Sequence, residues 1–174
     1  MRSRREDSVI DSRRVQQYFD EKAAAWSAGR HTDPALIRTV LKQLQIRPGS
    51  RVLDIACGTG VLFPFYLEHG ARVTGVDLSE GMIAAARTEY PDNPQITLRC
   101  ADACRLSFQQ EFDVCVIFDS LPHFPDIPAL LQAAAGYLKD GGRLCILFDH
   151  SRSWVNGHHA GLEEIARDLP ALKE

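Results

Sequence analysis

Asp54, Gly58 and Gly60 stand together in "RVLDIACGTG", residues 51–60, where a short apolar run meets a glycine turn. Glycines let a backbone approach a ligand closely because no Cβ intervenes. A carboxylate in the same turn repels phosphate at close range, so the turn suits a zwitterionic or cationic ligand better than a pyrophosphate. Asp77, in "VTGVDLS", is placed to accept hydrogen bonds from both hydroxyls of a ribose. Asp102, in "RCADAC", could accept from the exocyclic amine of an adenine or simply cap a loop. The dinucleotide fingerprint G-x-G-x-x-G is not completed, because "GTGVLF" puts Phe63 at the third glycine. His123, in "SLPHF", and His150, in "FDH", are candidates for removing a proton from a reacting group, with local hydrogen bonding as the plainer reading.

The elements that must position these residues alternate regularly. "RVLDIA", "RVTGVD", "QITLRC", "FDVCVIFDS" and "RLCILFDH" read as strands. The fourth is almost wholly apolar, as a strand buried on both faces should be. "VLFPFYLEHG", "SEGMIAAARTEYP" and "IPALLQAAAGYLK" read as the helices between them, and "DGG" as the turn before the fifth strand. Two further helices precede the alternation. "RRVQQYFDEKAAAWSAG" carries Val15, Tyr18, Phe19, Ala23 and Trp26 near helical spacing, and "DPALIRTVLKQLQI" opens on an Asp cap with Pro in its first turn. Strand–helix alternation defines an α/β, doubly wound, mainly parallel sheet. Ligands of such sheets bind at the carboxyl ends of the strands, where every acid named above falls.

The 174 residues suit a single domain, and a hydrophobic fraction of 45% suffices for a core. A net charge of −3 offers no basic field for nucleic acid. No apolar run approaches the roughly 20 residues of a membrane helix, and the basic N-terminus lacks the apolar segment of a secretion signal. A cytoplasmic place and no membrane partner are the expectations. The 5 cysteines are odd in number and lack paired CxxC spacing, so reduced thiols are expected and no zinc site is.

"VLDIACGTG", "VTGVDLSEGMIAAAR", "ADA" and "FDVCVIFDSLPHF" together resemble the ordered motifs of the class I S-adenosylmethionine-dependent methyltransferases, small-molecule type. "YFDEKAAAW" is similar to the N-terminal helix that lies over the cofactor in many of them. The resemblance covers most of residues 15–149 and implies a Rossmann-like sheet of order 3-2-1-4-5. It implies S-adenosylmethionine as cofactor, bordered at its methionine arm by Asp54, Ala56, Gly58 and Gly60. Asp77 would bind the ribose, with Leu78 against the adenine. Asp102 and Ala103 would meet the adenine edge, and Asp119 would lie near the transferable methyl. Tyr18, with Phe19 and Trp26, would close over the cofactor, and Cys57 would be a small filler. The implied activity is methyl transfer to a small-molecule acceptor. "DSLP" stands where nucleic-acid members carry an NPPY-like tetrapeptide, which argues against nucleic-acid acceptors.

The expected organisation is a flexible tail over 1–13 and a cofactor-binding domain over 14–150, its helical lid spanning 14–46. A C-terminal helix or tail of the same domain follows over 151–174. That segment is long enough for a helix and a tail but not for the last two strands of the family fold, so the sequence is expected to be either a minimal member or a truncated one. The fifth strand would then be an open edge, covered by 151–174 or by a second subunit in a homodimer. If residues 152–163 form one helix, Arg152, Asn156, His159 and Glu163 share a face, and with His150 form a polar cluster able to hold an anionic acceptor or a metal. Two alternatives remain: a cofactor-binding regulatory or partner protein without catalysis, and an NAD-type oxidoreductase, disfavoured by Phe63 and Asp54.

Overall fold

The computed structural model describes residues 11–29 and 32–149. Five helices and five strands follow one another there: α1 (Ser12–Gly29), α2 (Pro34–Gln43), β1 (Arg51–Ile55), α3 (Phe63–Glu68), β2 (Arg72–Asp77), α4 (Glu80–Glu89), β3 (Ile96–Cys100), β4 (Phe112–Phe118), α5 (Ile127–Tyr137) and β5 (Leu138–Leu147). Every pairing is parallel and the order is β3-β2-β1-β4-β5, the order the motifs imply.

Local chemistry starts the helices where the sequence marks them. The Asp33 carboxylate accepts from the Ala35 and Leu36 N–H groups, with Pro34 in the first turn. Ser79 accepts from Met82 N–H at the start of α4, and Asp126 from Ala129 N–H at the start of α5. These caps satisfy donors that no helix can satisfy internally.

The strands alternate between two cores. Val52, Val73, Val114, Val116 and Phe118 face α2 and α3, where Ile37, Leu41, Phe63 and Tyr66 are buried. Leu53, Ile55, Val76, Cys115 and Ile117 face α5, where Leu130, Ala134 and Tyr137 close the other layer. Asp54 shares the parity of Val52 and so lies on the α2–α3 side.

Two boundaries differ from the sequence reading. α3 begins at Phe63, not Val61, because Gly60 at φ 85° and the Phe63 N–H···O=C Gly60 bond of 3.0 Å hold a tight turn first. β5 begins at Leu138, before "DGG". Phe112 pairs with Leu138 and Val114 with Arg143, so residues 139–142 bulge out between two paired points. Among the described residues β5 is an edge strand, on which Ile146 is 40% exposed.

Phe63, in the place of the third glycine, fills the space between the glycine turn and β2. A Cβ added at Gly75 would lie 2.6 Å from the Phe63 ring and 2.9 Å from Cys57 Sγ. Gly75→Ala is therefore expected to destabilise the fold by about 1–3 kcal/mol through overpacking, read by denaturant unfolding. Phe63→Leu in the same chain should recover most of the loss; no recovery would mean the ring is not the obstacle.

Candidate active site

β1 and β4 are parallel neighbours whose connections leave in opposite directions, so the strand order reverses between them. Both end in residues of strained conformation. Ala56 has φ 56° and Asp119 has φ 49°, values an L-residue adopts at a cost. A small, partly open cleft lies at this point, lined by Trp26, Asp54, Ala56, Gly58, Thr59 and Phe118 among others. Gly58 also has positive φ, 54°, and a Cβ there would sit 3.9 Å from the Trp26 indole nitrogen. α1 and the turn thus face each other with only glycine between them.

Asp54 is 2% exposed. Burial raises the pKa of the neighbouring Tyr66 hydroxyl well above its ordinary value, and the Asp54 carboxylate beside it raises it further. The Cys57 thiol is likewise held well above its usual pKa by burial first, then by Asp54 and Asp77. A thiol so placed remains protonated at neutral pH and packs as a small apolar group.

Asp77 joins β2 to the glycine turn. One carboxylate oxygen accepts from Gly58 N–H at 2.8 Å and the other from Ser79 N–H at 2.9 Å. A carboxylate has about four acceptor sites, so each oxygen keeps a lone pair for a ligand hydroxyl. Burial raises the pKa of Asp77; the backbone N–H groups of Ser79, Gly58 and Leu78 oppose that shift, and the charge of Asp20 adds to it. Leu78 follows, half buried.

Asp102 caps the short 3₁₀ turn Ala103–Arg105 by accepting from Cys104 N–H at 2.9 Å, so its capping role is filled whatever else it binds. Tyr137 of α5 pins this loop, donating to the Ala103 carbonyl at 2.9 Å and accepting from Leu106 N–H at 3.1 Å. Asp119 accepts from Asp149 N–H at 3.1 Å, which ties the ends of β4 and β5 together.

His123 ends the 3₁₀ turn Leu121–His123 after β4. Its ring lies edge-on to Phe19 of α1, with 5.2 Å between centroids. Phe19 also packs edge-on against Tyr18 at 5.2 Å and Trp26 at 5.3 Å. Of these α1 aromatics, Trp26 lines the cleft; Tyr18 is not in its lining and carries Lys22 over its ring. His150, Arg152, Asn156 and His159 lie outside the described residues.

Several residues of the site carried no signal in the sequence. Thr59 lines the cleft. Ser120, 7% exposed beside Asp119, has a buried hydroxyl without a hydrogen-bond partner among the described residues. Asp20 reaches from α1 to the start of α4. An isolated Ser, Thr or helix-surface Asp is too common a residue to be singled out by type or spacing.

The residues fit an adenosyl amino-acid ligand by their chemistry. A buried carboxylate and an aromatic ring share a glycine-walled cleft, next to a second carboxylate with open acceptor sites. The fold and site define a class I S-adenosylmethionine-dependent methyltransferase, and the chain belongs to that family: a methyltransferase-domain model matches residues 53–146, more than half of it. Among relatives, a ubiquinone biosynthesis O-methyltransferase of Idiomarina loihiensis is 39% identical over 114 residues, covering 63% of this chain and 47% of that protein. A methyltransferase structure from Mesorhizobium loti matches with TM-score 0.55 and 34% identity over 61% of this chain and 50% of that one. Haemonchus contortus phosphoethanolamine N-methyltransferase 2, solved with S-adenosylhomocysteine, matches with TM-score 0.67 and 27% identity over 92% of this chain and 43% of that one. The chain spans about half the length of the curated relatives it matches. No helix of the described residues is long and apolar enough to cross a membrane.

Proposed function

We propose that this chain binds S-adenosylmethionine across the ends of β1, β2 and β4 and transfers its methyl group to a hydroxyl oxygen of a small organic acceptor. The observation that carries the reading is the shared cleft of Asp54 and Trp26 beside the Gly58 turn, which Asp77 holds in place. The relatives include both O- and N-methyltransferases by name, so the family alone does not set the acceptor atom. The choice of oxygen follows the O-methyltransferase relatives.

When bound, the cofactor supplies a methyl on a positively charged sulfur, open to in-line displacement with a neutral leaving group. The protein's part is alignment and exclusion of water, which can supply roughly 7–11 kcal/mol of the barrier. In this reading Asp54 holds the ammonium end, Asp77 takes the ribose hydroxyls, and Asp102 and Ala103 border the adenine. Trp26 closes the arm from above, and an aromatic face near a cation adds about 0.5–2 kcal/mol. His123 sits at the end of β4, the strand neighbouring the turn, and receives the proton of the acceptor hydroxyl. A cytoplasmic place and a homodimer through the β5 edge belong to the same reading.

The test is calorimetric titration with S-adenosylmethionine and NAD, followed by transfer of labelled methyl to a panel of small catechols and hydroxybenzoates. Binding of the sulfonium ligand with label in an acceptor supports the proposal. Binding without transfer to any acceptor returns the reading to a cofactor-binding partner protein, and tight NAD binding alone overturns it.

A further inference from the structure

α4 carries its own N-cap: the Ser79 hydroxyl oxygen accepts from Met82 N–H at 3.0 Å. Yet its first turn is also gripped from another helix. Asp20, 59 residues earlier on α1, accepts the Ser79 hydroxyl proton at 2.5 Å, and the same carboxylate oxygen accepts Gly81 N–H at 2.9 Å. A helix N-terminus favours a carboxylate there.

Packing repeats the message independently. A Cβ at Gly81 would come within 3.1 Å of the Ala23 Cβ and of the Asp20 Cα and carbonyl oxygen. The two helices approach this closely only because residue 81 has no side chain.

From Asp20 a hydrogen-bonded path runs to the turn that borders the cleft. Ser79 N–H donates to one oxygen of Asp77, and the other oxygen accepts from Gly58 N–H. α1 meets two further strand ends. Phe19, one residue before Asp20, packs on His123 after β4, and Trp26 faces Gly58 after β1. One side chain therefore fastens the helix that carries Trp26 to the acid that holds the Gly58 turn.

We infer that Asp20 is a positioning residue: it latches α1 onto the first turn of α4, and through Ser79 and Asp77 it sets how long the cofactor stays bound. The inference rests on the cofactor reading of the previous section. It assigns a role in cofactor dwell to a residue that touches neither the cleft lining nor the reacting atoms.

The latch and the cofactor are tested separately. Hydrogen exchange of residues 12–26 in the ligand-free protein reads the latch. Affinity and dissociation rate of S-adenosylhomocysteine read its consequence. Asp20→Ala should raise exchange in 12–26 and weaken S-adenosylhomocysteine about tenfold or more, since both hydrogen bonds to the carboxylate are lost, mainly through faster dissociation. Asp20→Asn keeps an oxygen for both donors and should stay within about threefold of wild type. Gly81→Val should reproduce the Asp20→Ala pattern by pushing α1 away without touching the carboxylate. Unchanged exchange in 12–26 on Asp20→Ala overturns the latch. Raised exchange with an unchanged dissociation rate overturns its link to the cofactor. A wild-type chain that binds no S-adenosylhomocysteine, while its exchange still responds to Asp20→Ala, overturns the cofactor reading and leaves only a helix clasp.

Discussion

His123→Ala is expected to lower kcat for methyl transfer roughly 10²–10⁴-fold, the usual contribution of a positioned general base, while affinity for S-adenosylhomocysteine changes less than about threefold. The expectation follows from place. His123 is carried on the turn after β4, and its ring is braced by Phe19 of α1, the helix that carries Trp26. A base held at a strand end by an aromatic neighbour loses little freedom when it accepts a proton. Removing the ring also removes that aromatic contact, so loss of rate alone would not separate chemistry from packing. Imidazole added to the His123→Ala protein does separate them. Partial recovery of kcat identifies lost proton transfer. Failure to recover, together with weakened cofactor binding, assigns the histidine to packing of α1 and removes it from the mechanism.

Asp77→Asn should weaken S-adenosylmethionine about 100-fold. Hydrogen bonds to a charged acceptor are worth about 1.5–3 kcal/mol each, and a loss near 3 kcal/mol corresponds to roughly that factor. The asparagine has a second defect. Both oxygens of Asp77 accept backbone N–H groups, one from Gly58 and one from Ser79. An amide offers one oxygen, so its NH₂ group must face one of those donors, and the turn shifts.

The pKa of Asp77 adds a pH signature. Burial raises it above the ordinary 3.8 despite the backbone donors. A group raised on folding contributes stability below its unfolded pKa and loses that contribution as pH rises through the folded pKa. Ionised Asp77 is thus a cost to the ligand-free protein near neutrality. Ribose hydroxyls donating to the ionised form offset the cost, so affinity for S-adenosylmethionine should rise with pH as Asp77 ionises, above the ordinary carboxylate range. Calorimetry across that range should show the rise in wild type and its absence in Asp77→Asn. A pH-independent affinity in wild type, or a variant that binds as tightly, would remove Asp77 from the ribose site.

Particular residues show why some of this was legible beforehand. The strands could be read because burial on both faces demands unbroken apolar runs, as in "VCVIF" of β4. The caps Asp33 and Ser79 could be read because a short acceptor side chain before a helical run has few other uses. The start of β5 could not. "DGG" has the composition of a turn, and only the pairing of Phe112 with Leu138 draws Leu138 into the strand ahead of the bulge. Asp102 was ambiguous in sequence, and its local cap is now defined.

The sequence by itself determined the α/β alternation, the acids at the strand ends, and the glycine turn with Phe63 in its third place, because these follow from local periodicity and the steric freedom of single residues. The tertiary structure alone decided that Trp26 faces Gly58, that Phe19 braces His123, and that Asp20 grips Ser79 and Gly81. Those contacts join residues tens of positions apart. They depend on how a helix lies across a sheet, and no spacing along the chain encodes that angle.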